Sequence, residues 1–235
     1  MNSLVASAFV ALLATPLMAG AATVSITPTT SGHCIHSTTI CFGNYNFGAY
    51  ALDGAVNGIR HFMTFDLSGL SGTVTSARLE IDAGQHAYAT YLTTKDYYVT
   101  GLSVDYSQVT SYIGGPAGLA LHAAIGSSPL FGSTVVDTSL NDNRPHYMPE
   151  VTVDLGLGLH DLSVALGDFI ALGGFTTGQG QLFYPWLAGN GPTGTRLVLD
   201  IESTPLTPVP TPATLPLAVI GLSAFAVARR RALQR

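Results

Sequence analysis

The sequence predicts an all-β body, an antiparallel β-sandwich, carried between an N-terminal signal helix and a C-terminal hydrophobic helix. Three observations lead there. The first is strict alternation of apolar and polar side chains, as in Ala77-Arg78-Leu79-Glu80-Ile81-Asp82, which suits a strand with one buried face. The second is punctuation by small residues at Ser68-Gly69-Leu70-Ser71-Gly72, Gly114-Gly115-Pro116 and Gly189-Asn190-Gly191-Pro192, where the chain can turn sharply. The third is the scarcity of helical periodicity, which is confined to residues 116–125 and 161–167. Short alternating strands closed by Gly-rich turns stack as two sheets.

The elements follow in chain order. Leu4 to Leu17 is apolar and leads into Met18-Ala19-Gly20-Ala21-Ala22. That pattern predicts a signal peptide over 1–22, cut after Ala21 or Ala22. The body over 23–203 then has 181 residues, the size of one domain. In its first clear strand Ile59, Met63, Phe65 and Leu67 share a face, with Arg60, Thr64 and Asp66 opposite. His61 on the apolar face and Phe62 on the polar face break that alternation. Glu80 and Asp82 read as two carboxylates facing solvent together from the next strand. Val151, Val153 and Leu155 form a third apolar row, and Leu197, Leu199 and Ile201 a fourth.

Residues 204–212 contain Pro205, Pro208, Pro210 and Pro212. Each proline lacks an amide proton and fixes φ, so this stretch is an extended spacer. Ala213 to Ala228 is an uncharged apolar run of 16 residues, about 24 Å as helix at roughly 1.5 Å per residue. A hydrocarbon core of about 30 Å needs about 20 residues, so the run makes a marginal anchor. Arg229-Arg230-Arg231 opens the basic end over 229–235, which belongs on the cytoplasmic side of a bilayer. Spacer, apolar run and arginines together resemble a PEP-CTERM sorting signal in its Val-Pro-x-Pro-Ala variant. The matching residues are Val209, Pro210, Pro212, Ala213, Arg229, Arg230 and Arg231. The resemblance implies an exosortase-like sorting enzyme as partner, transient anchoring in the inner membrane, and delivery to the cell surface or extracellular matrix. The stretch from Phe62 to Leu79, with the closing strand Thr195-Arg196-Leu197-Val198-Leu199, resembles secreted bacterial jelly-roll domains of the DNRLRE type. That resemblance implies a jelly-roll-like sandwich and no particular reaction.

Charge and motifs narrow the function further. The body sets five basic residues against fourteen acidic ones, a net charge of −9, which repels polyphosphate and excludes nucleic acid as an expected partner. Cys34 and Cys41 are the only cysteines, and an even count in an exported chain favours a disulfide. Zinc held by His33, Cys34, His36 and Cys41 is the competing reading. Asp137 with Asn141, Asp142 and Asn143 is an oxygen-rich stretch that suits either calcium or a turn closed by its own side chains. No G-x-S-x-G elbow, His-Glu-x-x-His helix or P-loop occurs, and no acidic pair has glycosidase character. No catalytic residue, cofactor or metal is therefore expected. Tyrosines gather at Tyr88, Tyr91, Tyr97, Tyr98 and Tyr106, and Phe183, Tyr184 and Trp186 form a second aromatic group. Adjacent Tyr97 and Tyr98 must point to opposite faces of a strand. Tyr98 and Trp186 are thus the candidate sugar platform. The expectation is a non-enzymatic surface or matrix protein, with a polysaccharide-binding or polysaccharide-degrading module as the alternative.

Overall fold

A computed structural model describes residues 20–43, 49–51, 58–81, 94–104, 109, 112–137, 150–177, 180–182 and 194–203. They belong to one compact unit, Ala19–Ser203. Residues 1–19 of the predicted signal peptide lie outside the described residues, as do the spacer, the apolar run and the basic end. The sorting residues Val209, Pro210, Pro212, Ala213, Arg229, Arg230 and Arg231, together with Trp186, Asn141, Asp142 and Asn143, fall outside them too.

Most described residues are strand. In chain order they form β1 (Ala21–Ile26), β2 (Thr30–Ile35), β3 (Ile40–Gly43), β4 (Ala49–Ala51), β5 (Ile59–Asp66), β6 (Thr73–Ile81) and β7 (Thr94–Leu102). Helix α1 (Gly115–Ser127), β8 (Leu130–Asp137), β9 (Val151–Asp154), a 3-10 turn over Gly156–Gly158 and helix α2 (Leu159–Val164) come next. The last strands are β10 (Phe169–Thr176), β11 (Gly180–Leu182) and β12 (Arg196–Glu202). All pairings are antiparallel. A four-stranded sheet runs β1-β12-β6-β9, and a larger sheet runs β11-β4-β5-β10-β7-β8, with β2 joining β5 to β3.

The main core lies between the sheets. Met63 and Phe65 of β5, Val99 of β7 and Leu172 of β10 meet Leu79 of β6 and Leu197 and Leu199 of β12, all fully buried. Where β8 passes β9, a Cβ on Gly132 would strike the backbone carbonyl of Asp154. Only glycine lets the two chains approach so closely there.

The predicted polar face of β5 is corrected by the structure. Phe62 and Thr64 are as buried as Met63 and Phe65, because α1 lies across the outer face of the larger sheet. Phe62 joins Cys34, Cys41, Leu121, Ile125 and Ala171 in a second core beneath that helix. The broken alternation at His61 and Phe62 is therefore the pattern of a strand buried on both sides. Helix α1 follows an extended Gly114, carries proline in its first turn, where the missing amide proton costs no hydrogen bond, and is succeeded by Pro129. Its buried residues Gly118, Leu121, His122 and Ile125 make one stripe at helical spacing. Gly118 sets the helix directly on neighbouring backbone, since a Cβ there would meet the carbonyls of Thr39 and Ile113.

The second helix spans fewer residues than the predicted 161–167, and the first extends slightly beyond 116–125. Ser163 of α2 ties it to the smaller sheet, accepting from the Val74 amide at 2.9 Å while donating to the Leu159 carbonyl at 2.8 Å. Glu80 is a second correction. It is 7% exposed, held by Arg78 at 2.6 Å and by Arg196, which also reaches Glu150 at 3.1 Å. Burial pushes the Glu80 carboxyl up, but hydrogen bonds from both arginines and their charges outweigh it and hold the group below its ordinary value. At the N-terminal edge, β1 begins at Ala21, paired to Glu202, two residues before the predicted start of the mature body. A cut after Ala22 leaves the pairs from Thr23↔Asp200 to Ile26↔Leu197 intact.

Candidate functional site on the outer face of the larger sheet

Strand register assembles a continuous row on the outer face. Cys41 opposes Cys34 and Cys34 opposes Arg60. Phe175 opposes Tyr98, and Tyr98 opposes Ser133. Arg60 and Phe175 complete the row from adjacent strands, with the guanidinium carbon 5.5 Å from the ring centroid. Helix α1 covers the disulfide end of the row. Phe175, Tyr98 and Ser133 continue beyond it.

At the covered end Cys34 and Cys41 form a disulfide, with their Cα atoms 4.0 Å apart. The tie closes a short loop and fixes the floor on which α1 sits. In the chain-entropy account it stabilises by about 2–3 kcal/mol. The four residues of the zinc reading do not converge. His33 lies on the opposite face of β2 from Cys34 and packs on Phe42, with centroids 5.3 Å apart. His36 instead meets His122, centroids 5.2 Å apart. Among the described residues no group of three or more His, Cys, Asp or Glu side chains is placed to hold a metal ion. Asp137 ends β8 exposed.

Arg60 and His122 lock the helix to the sheet. The Arg60 guanidinium donates to the His122 carbonyl at 2.7 Å. Gly126 leaves the room it needs, since a Cβ there would strike the guanidinium. A cation against the last turns of a helix also complements the helix dipole. The His122 ring, 2% exposed, donates from Nε2 to the Gly58 carbonyl at 2.8 Å. Burial foremost, then the Arg60 charge, lower its pKa to about 4, so the ring is neutral at ordinary pH.

At the open end Tyr98 and Phe175 stack with centroids 5.1 Å apart and planes 17° apart. Phe175 is half-buried, with Arg60 on one side and Tyr98 on the other. Among the described residues Tyr98 is the last ring of the row, half-buried, and its outer neighbour Ser133 is small and exposed. The pair is therefore not a flat double platform. Tyr97 points inward, fully buried, its hydroxyl 2.7 Å from His61 Nε2, and burial drives its phenol well above the usual range. Gly174 makes space for that inward pair, since a Cβ would collide with both. The register that joins Tyr98 to Phe175 and Arg60 has no signature in sequence spacing.

A groove of about 760 Å³ opens at one end of the larger sheet, between the end of β7, Pro129, α2 and the start of β10. Leu102, Val104, Val164 and Phe169 give it apolar contact, and Asp161 and Asp168 give it carboxylates. Asp168 accepts the Phe169 amide at 2.8 Å. Among the described residues, no helix is long and apolar enough to cross a membrane. No family model matches this chain, and no curated protein matches it.

Proposed function

We propose that this chain is an exported, non-enzymatic protein of the cell surface or extracellular matrix, with a jelly-roll-like body. An exosortase-like enzyme sorts it through the C-terminal segment. The observation that carries this reading is the tripartite end, Val209-Pro210-Thr211-Pro212-Ala213, the apolar run to Ala228 and Arg229-Arg230-Arg231. Two antiparallel sheets around one core are compatible with such a body. Fold alone leaves function open. Fractionation of cells making the full chain, or one lacking residues 205–235, tests the reading. The full chain is expected in the membrane and then outside the cell, the shortened chain in the periplasm. Identical distribution of the two overturns it.

A second reading, polysaccharide binding by the body, is favoured by the Tyr98 face at the end of the aromatic row. Stacking of one ring on an aromatic face contributes on the order of 1 kcal/mol. Pull-down of the full chain on exopolysaccharide is therefore expected to weaken about fivefold in Tyr98→Ala, and further when Trp186→Ala is added. Unchanged retention of the double variant excludes this site.

A further inference from the structure

The groove at the end of the larger sheet belongs neither to the sorting segment nor to the aromatic row, and its walls are fixed. It is bounded wholly by described residues. Phe131 forms its floor, with the ring against Gly101 and Gly158, where a Cβ would collide with it. The turn from α2 into β10 forms one wall. There the Leu67 amide donates to the Asp168 carbonyl at 2.8 Å, and the Gly167 amide to the Leu67 carbonyl at 3.0 Å. Gly167 sits at a φ of 90°, a conformation that favours glycine. Bonds from the Ala165 amide to the Asp161 carbonyl and from the Asp168 amide to the Ala165 carbonyl, at 2.9 and 3.1 Å, set both aspartates on this wall.

Two properties select what the groove holds. Its rim is apolar, with Val164 71% exposed, Phe169 38% exposed, and Leu130 following Pro129 at 38%. Large apolar side chains gathered around a concavity mark a surface that something covers. Its lining also carries Asp161 and Asp168 and no Lys, Arg or His. The body itself offers no ready cation for them. Arg78 and Arg196 are held by Glu80, Arg60 donates to the His122 carbonyl, and Lys95 is 3% exposed and donates to the Thr177 carbonyl.

We propose that this groove is a docking site for a short segment of a partner protein whose apolar side chains are flanked by Lys or Arg. The apolar side chains pack on Leu102, Val104 and Phe169, and the cations pair with Asp161 and Asp168. A volume of about 760 Å³ falls within the range of ligand clefts, about 300–1,000 Å³, which admits a few side chains and not a folded domain. The body charge of −9 steers a basic partner towards it, and salt weakens the attraction. The same charge disfavours a second copy of the body and an anionic bilayer. The inference stands apart from how the chain is sorted and from sugar binding at Tyr98.

The test uses the full chain in phosphatidylcholine nanodiscs, with empty nanodiscs as the blank. Fluorescein-labelled Lys-Leu-Phe-Leu-Arg is the probe, and Glu-Leu-Phe-Leu-Glu and Lys-Ser-Gly-Ser-Arg are its acidic and polar counterparts. By fluorescence anisotropy the basic apolar peptide is expected to bind at least tenfold more tightly than either counterpart. Asp161→Asn with Asp168→Asn weakens it about tenfold, and the new amide oxygen at 168 still accepts the Phe169 amide. Val164→Lys puts a like charge on the rim and weakens it at least as much. Asp96→Asn with Asp137→Asn removes equal charge at the far end of β7 and β8, from exposed positions, and leaves binding unchanged. Circular dichroism and thermal unfolding confirm that each variant is folded. No binding of the basic apolar peptide at about 1 mM, the weak end of specific association, overturns the proposal. Equal loss in the two aspartate pairs also overturns it, since the attraction is then one of net charge alone. If the groove variants spare peptide binding and change the chain's own association by light scattering, a second copy fills the groove and the proposal falls.

Discussion

Phe62→Ala is expected to cost about 3–5 kcal/mol of folding stability, the range for emptying a fully buried aromatic site. The ring lies between the Cys34–Cys41 disulfide and α1, in a cluster with Leu121, Ile125 and Ala171. Its tip also fills the space beside Gly32, where a Cβ would touch it. Neither neighbour collapses easily into the vacancy. The disulfide pins one wall, and Gly118 already holds the helix against the carbonyls of Thr39 and Ile113. The cavity term should therefore approach its full size. Urea unfolding at neutral pH measures the loss, and the melting temperature should fall by roughly 10 °C. A loss under about 1 kcal/mol would mean that the outer face of β5 is wet and that α1 does not cap it.

That experiment bears on how much of the fold was legible in the residues. Strands with one wet face announced themselves. β6 alternates from Ala77 to Ile81, and its apolar residues Ala77 and Leu79 are buried with Leu197 and Leu199 of β12, although Val198 on the other face of β12 is buried as well. β5 did not, because two-sided burial erases the period and leaves a run such as His61-Phe62-Met63 without a face. Glu80 looked solvent-facing by the same alternation, yet its partner Arg196 sits 116 residues further along the chain. Only the β6–β12 register brings Arg196 opposite Glu80. The aromatic row failed to show for the same reason. Tyr98 stood out in a tyrosine-rich stretch, while Phe175 and Arg60 reach it through pairings of β10 with β7 and β5. Local chemistry reads from sequence, and cross-strand chemistry waits for the register.

Mild acid should loosen the helix-covered face before it affects the rest. His122 is neutral in the folded protein with a pKa near 4, and about 6.5 when the chain unfolds. Between those values the unfolded chain holds a proton that the folded chain does not, so stability falls as pH drops. It is complete above pH 6.5 and declines towards pH 4, by about 2–3 kcal/mol at 1.36 kcal/mol per unit. The groups facing the ring are the Gly58 carbonyl, the His36 ring and the Arg60 guanidinium. The carbonyl would favour a charged ring, but burial and the arginine charge oppose it more strongly. Glu80 titrates lower, since its depressed pKa places its own loss below the ordinary carboxyl range. The two contributions therefore separate along the pH axis. His122→Gln retains an amide donor for Gly58 and removes the titration. Urea midpoints taken from pH 7.5 to 4.5 should slope in the native protein and stay level in this variant. A slope that survives the substitution would assign the acid sensitivity to another group.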